Sequence, residues 1–454
     1  MRIQYLIVIL TILSFFTGIH SFAYTNPTLF KSFFPDEEDS FKEKEEEKKR
    51  WGVTIPLAGT RLYWDNGIHI DGRYEKIKFT IRGKLFVDGG YIGADEALEI
   101  AFPDLEGGNI ILRHMDVIFH AVLLEALEFK LDLDFANLGQ VQDNWFRFTN
   151  VRVLKNIRFG HQKEPVSLET LTGNQNRTFM ESALPVQALA VGRNIGGRYR
   201  NDFLEKKMTL ALGGFWATGS FSSIGEASDQ ISNSYGFDIS ARVTRLLWYE
   251  NQGEKVLHLG FSYAHGFRDQ NSDEANAQYR SRPESHLTDL RLVDTGELTI
   301  GGQNVVGAEC AFVSGPTSLQ GELLADFIQA DTAGDPNFWG FYFYGSHFLT
   351  GEHRRYNPSS AIFTSVAPKK PFRPRQGQWG ALELAFRFSF LDLNSGLIQG
   401  GRERDITAGL NWYLFPRIRM MFNYVRATVK DRKYTPSIDK GTANIFQTRL
   451  QFVF

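Results

Sequence analysis

A single cysteine, Cys310, stands in the 454 residues, so no internal disulfide can form. No His or Cys flanks it at metal-ligand spacing, which sets aside zinc-bound and thiol-redox classes. An isolated cysteine of this kind packs as a small hydrophobe. Long hydrophobic runs are scarce too. Beyond residue 23 no 18-residue window is free of charged and turn residues, so any membrane span there is built of strands. A charge excess is also lacking: 50 Lys and Arg stand against 52 Asp and Glu, a net charge of −2. Nucleic acid therefore finds no basic field. There is no G-x-S-x-G element, and the His114 to His120 spacing is wrong for a helical metal pair. No catalytic residue, metal ligand or cofactor is expected.

Glycine (42) and phenylalanine (39) are plentiful, and aromatics reach 14%. Yet the mean hydropathy is −0.26. A chain that is hydrophilic on average but rich in Phe and Gly suits a barrel with a wet lumen. The chain ends NIFQTRLQFVF, in which Phe446, Leu450, Phe452 and Phe454 share one parity, with Thr448 the exception. Gln447, Arg449 and Gln451 share the other. A period of two places the sets on opposite faces of a sheet. The same alternation recurs in FTIRGKLFVD (Phe79 to Asp88), ALEFKLDLDF (Ala126 to Phe135), FDISARVT (Phe237 to Thr244), LHLGFSY (Leu257 to Tyr263), LELAFRFSF (Leu382 to Phe390) and IRMMFNY (Ile418 to Tyr424).

The N-terminal 50 residues are different. Residues 1–23 read as a secretory signal peptide: Arg2 is the positive region, Tyr5 to Phe16 the apolar stretch, and Ser21-Phe22-Ala23 the cleavage site. Residues 24–50 form a charged extension whose second half, PDEEDSFKEKEEEKKR, holds eight acids and five bases. It reads as a solvated periplasmic segment, with cell-wall contact as a further expectation. Residues 51–454 keep 43 bases and 44 acids and are nearly neutral. Any anion preference then depends on local placement of Arg and Lys.

Alternation alone does not separate a soluble sandwich from a barrel. The export signal, the lack of disulfides and the Phe-terminated last strand favour an all-β, transmembrane antiparallel β-barrel over 51–454. Roughly 25 residues per strand and connection give about 16 strands. Long polar insertions such as DQNSDEANAQYRSRPES (Asp269 to Ser285) are expected at one end, and short turns at the other.

Several blocks go beyond pattern. FGHQKEPVSLETLTGNQNRTFMESALP (Phe159 to Pro185) is followed by VGRNIGGRY (Val191 to Tyr199). QWGALELAFRFSFLDL (Gln378 to Leu393) precedes Gly400-Gly401 and AGLNWYLFPRIRMMFNYV (Ala408 to Val425). In order and spacing these blocks resemble the phosphate-selective porin O/P family, as does ILRHMDVIF upstream with LEFKLDLDFA. The resemblance implies a trimeric 16-stranded channel in the outer membrane, embedded in its lipid. Small anions such as phosphate or polyphosphate would diffuse through a constriction lined by Arg and Lys. It also implies that the segment after Lys163-Glu164-Pro165 folds into the pore, where Gly173 to Asn176 would make it flexible and polar. Lys163 and Arg193 match motif positions near that constriction, and Arg177 lies in the same loop. Arg113 sits in the early strand, and Arg387, Arg417 and Arg419 are bases at lumen parity. Such residues replace part of the water shell of an entering anion.

Two departures weaken phosphate selectivity specifically. The early strand reads Arg113-His114-Met115-Asp116 where the family carries consecutive arginines and a further base. Gln162 stands where it has an aromatic. A weakly selective porin for other small solutes, or a structural or adhesive barrel, remain the alternatives.

Overall fold

The structure, a computed structural model, describes residues 61–64, 67–72, 77–136, 140–149, 156–218, 236–268, 276–330 and 333–454. The expected signal peptide (1–23) and the charged extension with its cell-wall contact (24–50) lie outside the described residues. In chain order the strands begin β1 (Arg61–Trp64), β2 (Ile68–Asp71), β3 (Ile77–Ala94), β4 (Gly107–Leu123), β5 (Leu127–Asp134), β6 (Gln140–Phe148), β7 (Ile157–Lys163) and β8 (Arg193–Phe203). They continue β9 (Met208–Trp216), β10 (Gly236–Glu250), β11 (Lys255–Arg268), β12 (Asn276–Ser281), β13 (Val293–Thr299), β14 (Gly302–Ser314), β15 (Thr317–Gln329) and β16 (Asn337–Phe348). The last are β17 (Tyr356–Asn357), β18 (Ile362–Phe363), β19 (Ala381–Ser395), β20 (Ile398–Phe415), β21 (Ile418–Arg432) and β22 (Ile438–Val453).

Sixteen of these close into one antiparallel ring. β3 to β11 pair in sequence, then β14, β15, β16, β19, β20, β21 and β22, and β22 returns to β3. Closure matters because lipid supplies no partner for an open edge. The last residue completes it: Phe454 exchanges two 2.9 Å backbone hydrogen bonds with Gly83. Beyond that point the β1–β2 hairpin takes over the edge of β3, pairing Ile68–Asp71 with Lys78–Ile81. The Phe454 ring stacks with Trp64.

The alternation has the sense of a membrane barrel. On β22, Phe446, Leu450 and Phe452 are 61%, 50% and 39% exposed, while Gln447, Arg449 and Gln451 are buried in the lumen. The apolar parity therefore faces outward, into lipid, and the polar parity inward.

At the end carrying Ile77 and Phe454, the connections 124–126, 204–207, 251–254, 315–316 and 416–417 are turns of two to four residues. Short turns mark the periplasmic end. One connection there breaks the expectation: residues 349–380, between β16 and β19, are long and turn into the barrel. Their β17–β18 hairpin buries Tyr356, Ala361 and Phe363 against Leu246, Val256 and Val313 of the wall.

At the other end two long connections also fold inward. One is 164–192, between β7 and β8. The other lies between β11 and β14 and contains the β12–β13 hairpin, so part of the stretch expected as an outer loop is strand. Phe179, Leu184 and Leu189 of the first meet Leu287, Leu292 and Val293 of the second in one apolar cluster inside the ring. The first is fastened at its stem. Asn194 Nδ2 on β8 donates to Glu164 Oε1 (2.7 Å) and to Asp238 Oδ2 on β10 (3.3 Å). Burial first, and then the Asp238 charge, push the Glu164 carboxyl up to about 8.

Two outcomes follow. A Cβ at Gly83 falls 2.3 Å from Phe454 Cζ. Gly83→Val is expected to unseat the terminal ring at an overpacking cost of about 1–3 kcal/mol, read as a lower temperature for conversion of the compact to the unfolded band in detergent gels. An unchanged temperature would show that the ring is not needed for closure. For Glu164, the folded chain holds a proton that the unfolded chain releases near pH ~4.3. Its contribution is therefore complete below that pH and is lost as pH rises through about 8. Glu164→Gln is expected to flatten the fall in melting temperature between pH 5 and pH 9; an equal fall in both proteins would refute the assignment.

Candidate functional site

The 164–192 loop crosses the lumen from its stem on β7 to the far wall. Its helix Leu168–Leu171 starts against the Glu322 carboxylate of β15, which accepts from Leu168 N (2.9 Å) and Glu169 N (2.7 Å). Free N–H groups at a helix start suit an anionic side chain. Further on, Leu184 N donates to Ser389 Oγ on β19 (2.9 Å). Asn411 of β20 donates to Thr178 O (2.8 Å), Arg419 of β21 to Arg177 O (2.8 Å), and Arg449 of β22 to Met180 O (2.7 Å). The segment Gly173 to Asn176, expected to be flexible, is pinned: Gln175 O accepts from both Arg419 and Gln451, and Asn174 lies between Lys84 and His114.

The structure places the seven bases read from the sequence in different surroundings. Lys163 and Arg193 face each other in register at the loop stem. Lys163 Nζ donates to Thr170 O at 2.5 Å and has no carboxylate at salt-bridge distance among the described residues, whereas Arg193 is held by Asp143 at 2.8 Å. Arg177 donates to Ser182 Oγ (2.6 Å), and its buried Nε has no hydrogen-bond partner among the described residues. Arg419 spends its donors on loop carbonyls, Tyr413 and Gln451. Arg113 and Arg387 are neutralised, Arg113 by Glu181 and Arg387 by Glu284 and Glu169. Arg417 departs from the reading: it lies in the Pro416–Arg417 turn at the periplasmic rim, outside any strand, so its parity carries no lumen assignment.

Arg113 reaches Glu181 because of a β-bulge. Phe86 pairs with His114 but Val87 with Leu112, which leaves Arg113 as the extra residue. A bulge re-aims side chains, and Arg113 and His114 both turn to the lumen. Arg113 Nη1 (3.1 Å) and Asn174 Nδ2 (2.8 Å) point at His114 Nε2. Both are donors, so the ring proton sits on Nδ1, 2.8 Å from Asp134 Oδ2. His114, Asp116 and Asp134 have the spacing of a metal site. That space is occupied by the Nδ1 proton on one side and by Lys84 Nζ, 2.5 Å from Asp116 Oδ2, on the other.

Four lumen arginines were not singled out from the sequence. Arg147 on β6, Arg158 on β7 and Arg198 on β8 lie directly opposite one another in register, and Arg200 is two residues on. The Arg158 guanidinium covers Trp145 at 3.6 Å. Arg147 pairs with Glu128, but Arg158, Arg198 and Arg200 have no salt bridge among the described residues. Like charges opposite one another in a sheet repel. The R-x-R spacing of Arg198 and Arg200 was the available signal. On the opposite wall, Glu403 and Asp405 of β20 face inward, but both are 0% exposed beneath the second inward connection.

Charges within the loops are strongly biased. Burial alone would raise the Glu181 carboxyl; Arg113, His286 and Arg449 overcome it and hold it well below the usual carboxylate range. Burial pushes the His286 imidazole down to about 4, against the pull of Glu181. Burial, with Arg113 and Arg449 nearby, lowers Arg177. The arrangement presents fixed cations and backbone dipoles to a passing ion.

Known proteins match this design. An uncharacterized protein of Caulobacter vibrioides is 29% identical over 351 residues, covering 76% of this chain and 68% of that protein. Porin O of Pseudomonas aeruginosa is 28% identical over 233 residues, covering 45% of this chain and 50% of its own length. The solved structure of in-vitro folded OmpT from Vibrio cholerae, 9% identical, has a TM-score of 0.50 over 84% of this chain and 98% of that one, a likeness of fold. The family model described as phosphate-selective porin O and P matches residues 112–454. With three quarters of its length under that match, the chain belongs to the phosphate-selective porin O and P family, and is an outer-membrane channel rather than an enzyme.

Proposed function

We propose that this porin passes small anions, with phosphate and condensed phosphates as the substrate class, and that it works as a homotrimer. The family resemblance supports the trimer. The observation that carries the anion reading is the wall formed by β6, β7 and β8. There Arg158, Arg198, Arg200 and Lys163 line the lumen without salt bridges among the described residues, from the loop stem toward the periplasmic mouth. An anion leaving bulk water regains donors from such a wall. A series of them lets it move on without being trapped. On the opposite wall, Glu403 and Asp405 of β20 are buried beneath the second inward connection, across the ring from these bases.

A second reading, a weakly selective porin, is favoured by a different observation. Arg113, Arg193 and Arg387 each hold a carboxylate, and Lys84 holds Asp116. Neutralised bases exert little field beyond their partner.

Reversal potentials of single channels in a planar bilayer under a KCl gradient separate the two. The anion reading expects anion preference and a drop in chloride current on adding phosphate. Lys163→Glu with Arg200→Glu is expected to lower the anion-to-cation permeability ratio about three- to tenfold, since two reversed charges change the local potential by a few kT. Open channels insensitive to phosphate and to both changes would leave the weakly selective porin. Arg387→Gln has a different outcome. It strands Glu284 and Glu169 in a buried site, at about 3–5 kcal/mol. Melting temperature is expected to fall well before selectivity changes; a marked selectivity change at unaltered stability would place Arg387 in the ion path.

A further inference from the structure

The outer face of the barrel carries basic residues where lipid headgroups lie. On β20, β21 and β22 the apolar belt includes Ile406, Phe422, Phe446, Leu450 and Phe452, all exposed. On β21 and β22 it ends, away from the periplasm, at Tyr424 and Phe446, whose rings lie 4.8 Å apart, with Tyr424 Oη donating to Asn444. Aromatic pairs at that level mark the membrane–water interface. Above them the same outward parity turns basic. Arg402, Lys430 and Lys440 lie opposite one another across the three strands. Arg404 sits opposite Thr428, and Arg426 opposite Ile406.

All five cations are exposed and share one face. Arg402 is paired, with Asp392 (2.9 Å) and Asp431 (3.1 Å). Arg404, Arg426, Lys430 and Lys440 have no ion pair among the described residues. Strand spacing of about 4.8 Å and a rise of about 3.4 Å per residue set these four within roughly 10 by 13 Å. Cations placed opposite one another in a sheet are unfavourable unless something negative lies between them.

We propose that this patch docks the phosphates of an outer-leaflet lipid headgroup, with the acyl chains of that lipid on the apolar belt below. Charge complementarity and continuity with the belt select a lipid over a soluble anion. A free anion gains nothing from Ile406 and Phe446, whereas an anchored phosphate is held at the right height by its chains. Arg offers paired N–H donors to phosphate oxygens, and Lys a mobile charge. The site faces away from the lumen, so it is independent of the channel's ion preference.

Native mass spectrometry of the full chain in detergent tests it. The probes are a bis-phosphorylated acylated disaccharide lipid, the same lipid without phosphates, and inorganic phosphate. The wild type is expected to retain the phosphorylated lipid, and the triple variant Arg404→Ala, Arg426→Ala, Lys430→Ala to retain it about tenfold less or weaker still. Arg426→Lys keeps the charge and is expected to keep most retention. If the triple variant does not fold, Lys430→Ala alone is expected to give a smaller loss in the same direction. Equal retention by wild type and variant, or of both lipids, overturns the proposal. So does displacement by millimolar phosphate, which would make the patch a free-anion site. A changed oligomeric state in the variant would assign it to subunit contact instead.

Discussion

The Arg449 guanidinium sits where three parts of the molecule have to agree. It lies on the closing strand, is almost fully buried, and grips Asp88 of the first barrel strand through two 2.7 Å bonds. Its remaining donors reach Glu181 Oε1 (2.6 Å) and Met180 O (2.7 Å) on the inward loop. Ring closure and loop position are thereby one event. A buried guanidinium deprived of a partner leaves an uncompensated charge, so misplacing either strand or loop is costly. The backbone ladder between β22 and β3 satisfies the edges, and Arg449 ties that closure to the contents of the lumen.

Those contents distort the simple inside-out pattern. The lumen face of β21 is polar near the periplasm, with Arg419 and Asn423. Further up it turns apolar, with Val425, Ala427 and Val429 fully buried. The reason is local. The two inward connections bring their own apolar residues, and Phe179, Leu184, Leu287 and Leu292 need a dry surface to pack on. The lumen is thus divided into a packed sector beneath the loops and a basic wall along β6–β8. Salt bridges such as Arg387 with Glu284 belong to the first, where ions replace water around a crowded junction. The unpaired arginines belong to the second.

This division explains which expectations were met. Alternation and the closing strand were legible because a period of two is a property of the chain itself, and sixteen strands followed from length. The resemblance put Lys163 and Arg193 near a constriction without relating them to each other; the register sets them side by side at the loop stem. The reading of the residues around Gly173 as a flexible loop failed, because glycine and asparagine permit flexibility without requiring it; the carbonyls of this segment found Arg419 and Gln451 across the ring. The 349–380 connection was missed because it is polar and long, the signature of an outer loop, while its apolar anchor, centred on Tyr356, Ala361 and Phe363, is small.

The sequence by itself determined the class of fold, the apolar and polar parities of its regular strands, and the family resemblance. Each depends on local periodicity or on residue order, which survive without knowledge of distant partners. Which bases are free to meet an anion was decided only by the tertiary structure. Arg387 and Arg158 have the same chemistry and both point inward. One meets Glu284, 103 residues away in the chain; the other meets Trp145 and a row of arginines. The charge on a guanidinium is intrinsic, but its field is set by the nearest carboxylate. In a closed ring that neighbour comes from strands and loops far along the chain.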